Sequence, residues 1–67
     1  MRIGDLVKYM SRIVLVVGYA DHNGQACDEK RFKDSDKFGW IVGCEIDTMV
    51  RRLYDSQECE VISESTK

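Results

Sequence analysis

Asp21 and His22 stand side by side, and the chain carries three cysteines, Cys27, Cys44 and Cys59. An imidazole next to a carboxylate is the beginning of a general base. A catalytic unit also needs a nucleophile within hydrogen-bond reach and a third group that orients the base. Cys27 and Ser11 are the available nucleophiles, and neither lies in a motif, so His22 reads as a solvated turn residue. A zinc site would have to draw on Cys27, Cys44, Cys59 and His22. Their spacing matches no ligand pattern, and no two cysteines form a C-x-x-C pair. The expectation is a non-enzymatic chain with no catalytic residue, no metal and no cofactor. An odd number of cysteines without a leader pattern fits free thiols in a reducing cytoplasm, with Cys44 and Cys59 as small core residues.

Binding chemistry is better represented. The aromatic residues are Tyr9, Tyr19, Phe32, Phe38, Trp40 and Tyr54. At strand ends such side chains line grooves for proline-rich peptides or cages for methylated ammonium groups. The candidate protein-binding set is Tyr9, Tyr19, Phe38, Trp40 and Tyr54, with Asp21, Glu45 and Asp47 as acids that could flank a cage. The plainer reading makes them core and rim residues with their polar tips in water. Arg51 and Arg52 form the densest basic pair, and with Arg2, Lys8 and Arg12 they offer an alternative nucleic-acid-binding patch. The net charge of −2 and the pI of about 5.2 argue against affinity based on phosphate neutralisation. Pairing of the two arginines with Glu45, Glu58 or Glu60 across strands is the simpler expectation.

These side chains need a frame, and 67 residues provide one small domain. Its centre is Arg12–Ala20, with five consecutive branched aliphatics from Ile13 to Val17. Alternation places Ile13, Leu15, Val17 and Tyr19 on one face and Val14, Val16, Gly18 and Ala20 on the other. Both faces are apolar, which predicts a strand covered on both sides. The run is too short to cross a membrane. Before it, Leu6–Tyr9 reads as a strand, with Gly4 kinking the entering chain, Ile3 and Val7 inward, and Met10-Ser11 as a short hairpin link. Residues 40–46, 49–54 and 58–63 read as three more strands. Gly43 allows a close approach, Val50 and Tyr54 face the core, and Arg52 lies near a rim. Residues 21–39 read as a long loop with an Asn23-Gly24 turn. Residues 28–33 could add one helical turn, and Phe32 and Phe38 are the only large apolar anchors.

Ile3-Gly4-Asp5-Leu6-Val7 resembles the opening strand of SH3-like barrels of the KOW and Tudor type. Arg52-Leu53-Tyr54-Asp55-Ser56, followed by Glu60-Val61-Ile62-Ser63, is similar to the closing hairpin of short uncharacterised proteins of tailed bacteriophages, including those of marine cyanobacteria. Gln57 departs from that pattern, in which a glycine occupies the late turn. The resemblance implies a five-stranded antiparallel SH3-like small barrel and a phage-encoded accessory or virion-associated role. It carries no catalytic residue.

The sequence thus predicts an all-β module that binds another protein through an aromatic groove, the 21–39 loop or a sheet edge. Nucleic acid is a less favoured partner and a membrane is not expected. A sheet edge would also allow a homo-oligomer.

Overall fold

The computed structural model describes residues 1–34 and 39–64. The strands are β1 (Leu6–Tyr9), β2 (Arg12–Ala20), β3 (Ala26–Cys27), β4 (Trp40–Glu45), β5 (Arg51–Asp55) and β6 (Cys59–Ser63). One helix, α1 (Glu29–Asp34), lies between β3 and β4, and a 3-10 turn, Ser56–Glu58, joins β5 to β6. All strand pairs are antiparallel, in the order β5-β4-β2-β1-β6, with β3 also paired to β2. The expectation of a β-rich chain holds. The count of five strands does not, and the sheet does not close, since β5 and β6 lie at its two edges without pairing.

The open sheet is nevertheless strongly curled. Its two edge strands are consecutive in sequence and only three residues separate them. The Tyr9 ring on β1 meets the Tyr54 ring on β5 at 5.1 Å between centroids. In a flat sheet those strands would be three spacings apart, about 14 Å. Curling encloses a core of Val7, Val14, Val16, Tyr19, Ile41 and Tyr54. Gly43 permits this: a Cβ there would overlap Val14 Cγ1 and lie 3.0 Å from the Tyr54 ring.

Arg12–Ala20 is fully covered on one face and only partly on the other, where Ala20 alone is fully buried, which corrects the expectation of two covered faces. Val14 and Val16 are fully buried, whereas Ile13 is exposed and Leu15 and Val17 half-buried. The β2–β4 register shifts between Val16 and Gly18. A bulge inserts one residue and reverses the alternation beyond it. Val14 and Val16 point inward before the shift and Tyr19 points inward after it, although simple alternation separates them.

Residues 21–34 are not a structureless loop. Asp21 and Gln25 close a tight turn, with the Asp21 N–H donating to the Gln25 carbonyl at 2.9 Å, and β3 returns along β2. Asp28 then caps α1 by accepting the Arg31 N–H at 2.9 Å. The helix is short, and Phe32 is the side chain that ties it down, packing on Tyr19 at 4.7 Å between centroids. The helical turn expected at 28–33 and its Phe32 anchor are found; the pairing of β3 with β2 is not foreshadowed, because a two-residue strand in a polar run gives no periodicity. Phe38 lies outside the described residues.

Two other residues expected inside are exposed: Ile3 and Val50. Gly4 takes φ 98° in the turn that leads the chain into β1, as its position before Asp5 suggests. Among the described residues, no helix is long and apolar enough to cross a membrane.

Candidate interaction site

The hairpin end of the curled sheet holds the best-formed site. Inward alternation from β1, β2 and β5 brings Tyr9, Arg12, Arg52 and Tyr54 around a cavity of about 240 Å³, with Met10 from the hairpin tip as its fifth wall. The Tyr9 and Tyr54 rings meet nearly edge to face, at 63°. This geometry suits the opposed charges of ring face and ring edge. Arg12 is held by Glu45, with Nη1 to Oε2 at 3.0 Å, and Glu45 is itself buried. Arg52 and Arg51 form no ion pair among the described residues. The expected pairing of these arginines with Glu45, Glu58 or Glu60 is therefore absent there.

Tyr54 is buried, and its hydroxyl has no hydrogen-bond partner among the described residues. A buried hydroxyl without a partner loses its hydration for nothing in return, a cost of about 1–3 kcal/mol. Tyr9 is half-buried, and loss of water raises its phenol above the ordinary value, with Glu58, Cys59 and Asp55 adding to the shift. Met10, on the cavity wall, and Met49, in the turn between β4 and β5, are 77% and 73% exposed, and both hold left-handed backbone, at φ 55° and 59°. The Ile46 N–H donates to the Ile13 carbonyl at 3.2 Å, which places the turn between β4 and β5 beside the β1–β2 hairpin.

At the opposite end the surroundings of the tyrosine ring and hydroxyl are filled. Tyr19 O–H donates to the Met1 carbonyl at 3.3 Å and accepts the Ile3 N–H at 3.2 Å, with Phe32 against its ring. A larger cavity of about 430 Å³ lies there, lined by Arg2, Tyr19, Cys27, Asp28 and Glu29 among others. Its tyrosine is already satisfied and its charges are mixed, so it offers a ligand less. Burial raises the Cys27 thiol, helped by Asp21 and Asp28, and burial also raises Cys59. Neither is an activated nucleophile.

The expected site residues are thus divided. Tyr9 and Tyr54 come together. Tyr19 is a core residue at the other end. Trp40 lies on the outer face, sharing a shallow hollow with His22, Asn23, Gly24 and Leu53. Arg51 and Arg52 are adjacent on one strand and so point to opposite faces. Only Arg52 reaches the cavity, while Arg2 lies at the far end, so the basic residues form no single patch. Of the acids named as flanking, Glu45 lies at the hairpin end and Asp21 at the filled end. Asp21 Oδ1 accepts the Asn23 and Gln25 N–H groups at 2.9 and 3.0 Å, and Oδ2 meets Arg31 at 3.4 Å. With its oxygens so used, Asp21 does not orient His22. Among the described residues, no three His, Cys, Asp or Glu side chains cluster to hold a metal ion.

Met10 and the inward role of Arg12 escape the sequence pattern. The signal was the two-residue link itself: a hairpin that tight sets Tyr9 opposite Arg12, as the register has it. Comparison with protein-family models, with curated proteins and with solved structures finds no match in any of the three.

Proposed function

We propose that this chain is a small SH3-like barrel that works as a non-enzymatic protein-interaction module, taking an acidic side chain of a peptide at its hairpin end. The observation that carries this reading is the Tyr9–Tyr54 cavity, where the Arg52 guanidinium and the unpartnered Tyr54 hydroxyl both favour an acceptor. A strand order in which the last strand returns beside the first, around a curled sheet, supports the barrel. The cavity holds one or two side chains and is below the size of pockets that enclose a whole small molecule, about 300 Å³ and upward. Arg12 is already paired with Glu45, and Arg52 repels a methylated ammonium group and matches a carboxylate.

The test is selection from a random peptide display library, followed by calorimetry on the enriched sequences. Peptides rich in Asp or Glu whose affinity falls at least about tenfold with Arg52→Glu are expected. Failure to enrich any sequence would defeat the reading. Fluorescence polarisation with DNA and RNA oligomers across a salt series is the counter-assay. Sub-micromolar binding with a steep fall against salt would instead favour the nucleic-acid alternative through Arg51 and Arg52.

A further inference from the structure

The outer edge of β5 is complementary to itself. Glu45 N–H donates to the Val50 carbonyl at 3.0 Å, which fixes the phase of the β4–β5 ladder. In an antiparallel ladder the direction of the backbone groups alternates along the strand. Arg52 and Tyr54 therefore turn their N–H and C=O groups toward β4, and Arg51, Leu53 and Asp55 turn theirs outward. Among the described residues, no strand pairs with this edge.

Read against its own reverse, Arg51-Arg52-Leu53-Tyr54-Asp55 sets Arg51 opposite Asp55, Arg52 opposite Tyr54 and Leu53 opposite Leu53. Residues directly opposite in an antiparallel pair point to the same face. On the outer face this gives two ion pairs flanking a leucine pair, and Leu53 is 45% exposed and available for it. On the inner face it gives guanidinium–tyrosine pairs. The phase agrees as well, since Leu53 is a residue whose own N–H and C=O point outward and can be exchanged with its copy. Asp55 Oδ1 accepts the Gln57 N–H at 3.0 Å, which leaves the other carboxylate oxygen for Arg51 of the second copy.

The other edge lacks these properties. Centred on Val61, β6 would set Glu60 opposite Ile62 and Cys59 opposite Ser63, with no charge match. A register shift against β1 also distorts it, a common device for blunting edges.

We propose that a second copy of this chain docks along β5, antiparallel and centred on Leu53, to form a two-fold symmetric dimer. The proposal shares Arg52 and Tyr54 with the hairpin-end cavity, but its test turns on Arg51, Leu53 and Asp55, which do not line that cavity. Two five-residue edges bury a modest area, so the dimer is expected in the micromolar range or weaker.

Sedimentation equilibrium on the full chain, from about 5 µM to about 500 µM, tests it. The wild type is expected to dimerise across that range. Arg51→Glu sets acids opposite acids, Asp55→Lys sets bases opposite bases, and each alone is expected to weaken the dimer about tenfold or more. An equimolar mixture of the two variants restores both ion pairs and is expected to recover the dimer as a heterodimer. Leu53→Pro removes an N–H that β4 does not use, so it is expected to keep the fold, checked by circular dichroism, and to abolish dimerisation. A wild type that stays monomeric throughout overturns the proposal. So does a dimer that survives Arg51→Glu unchanged, or a mixture of variants that recovers nothing.

Discussion

Tyr19 on the central strand β2 and Tyr54 on the edge strand β5 are both buried, and both pair with Ile41 of β4. Their ends of the molecule differ in how they are finished. Around Tyr19 the chain's own entry segment supplies a donor and an acceptor, and α1 lays Phe32 on the ring. Around Tyr54 there is a second tyrosine, two arginines, a hydroxyl without a partner among the described residues, and the exposed Met10. A fold can leave one end incomplete only if the other end and the shared core hold it together. The Tyr19 end therefore carries stability, and the hairpin end, though its cavity is the smaller, carries the unused hydrogen-bonding capacity a partner can use.

The largest effect is expected where the two ends share their core. Val14 and Val16 are fully buried beneath both. An unpaired aspartate at either position costs several kcal/mol, a large part of the stability of a domain this small. Val14→Asp and Val16→Asp are each expected to abolish the cooperative melt. Survival of the transition within a few degrees of wild type would mean that the core assigned here is solvated.

Phe32→Ala separates the ends next. It empties the seat on Tyr19 and is expected to cost about 3 kcal/mol, read as a lower urea midpoint. Met10→Gly at the hairpin end is expected to do the reverse. The side chain is exposed and its φ of 55° is one that glycine adopts freely, so a gain of up to about 1 kcal/mol is expected. A loss there would show that Met10 holds the rim in place.

The contrast also explains what the sequence disclosed. Strand positions were legible, because Leu6–Tyr9 and Arg12–Ala20 alternate or run apolar between clear turn residues. The Gly43 contact was legible for the same reason, a lone glycine inside a strand. The inward side of Tyr19 was hidden by the bulge at Val17, which leaves no mark in composition. Asp21 and Arg31 were hidden by their separation of ten residues. The cavity was half legible: Tyr9 and Tyr54 are conspicuous, but their meeting depends on a curl of the whole sheet that no local pattern encodes.

The filled end also has an acid-sensitive latch. The Gln25 N–H above all, then the Asn23 N–H and Arg31, hold the Asp21 carboxyl below the usual carboxylate range, against the opposing effect of burial. In the unfolded chain it titrates near its ordinary value, about 4. Above that pH both states are ionised and the full stabilisation is present. As pH falls the unfolded chain takes up the proton first, and stability is lost until the folded carboxyl is itself protonated. The difference in urea midpoint between wild type and Asp21→Asn is expected to be constant from about pH 7 to about pH 5 and to narrow below about pH 4. A difference that stays constant into acid would place the Asp21 carboxylate outside the turn.

The finest distinction between the ends comes from making one substitution twice. Tyr19→Phe removes a hydroxyl that donates to Met1 O and accepts from Ile3 N–H, and leaves both backbone groups to find water. A loss of about 1 kcal/mol is expected, the usual net worth of such bonds. Tyr54→Phe removes a hydroxyl that has no partner among the described residues, so nothing is left unpaired there. It is expected to be neutral or stabilising by up to about 1 kcal/mol, since an unsatisfied group is no longer held out of water. The same variant is expected to weaken binding of any peptide whose carboxylate reaches the cavity. Opposite signs from one chemical change would locate the unused hydrogen-bonding capacity at the hairpin end. Equal losses at both positions would mean that Tyr54 is satisfied in solution, and the cavity would then have to bind through Arg52 alone.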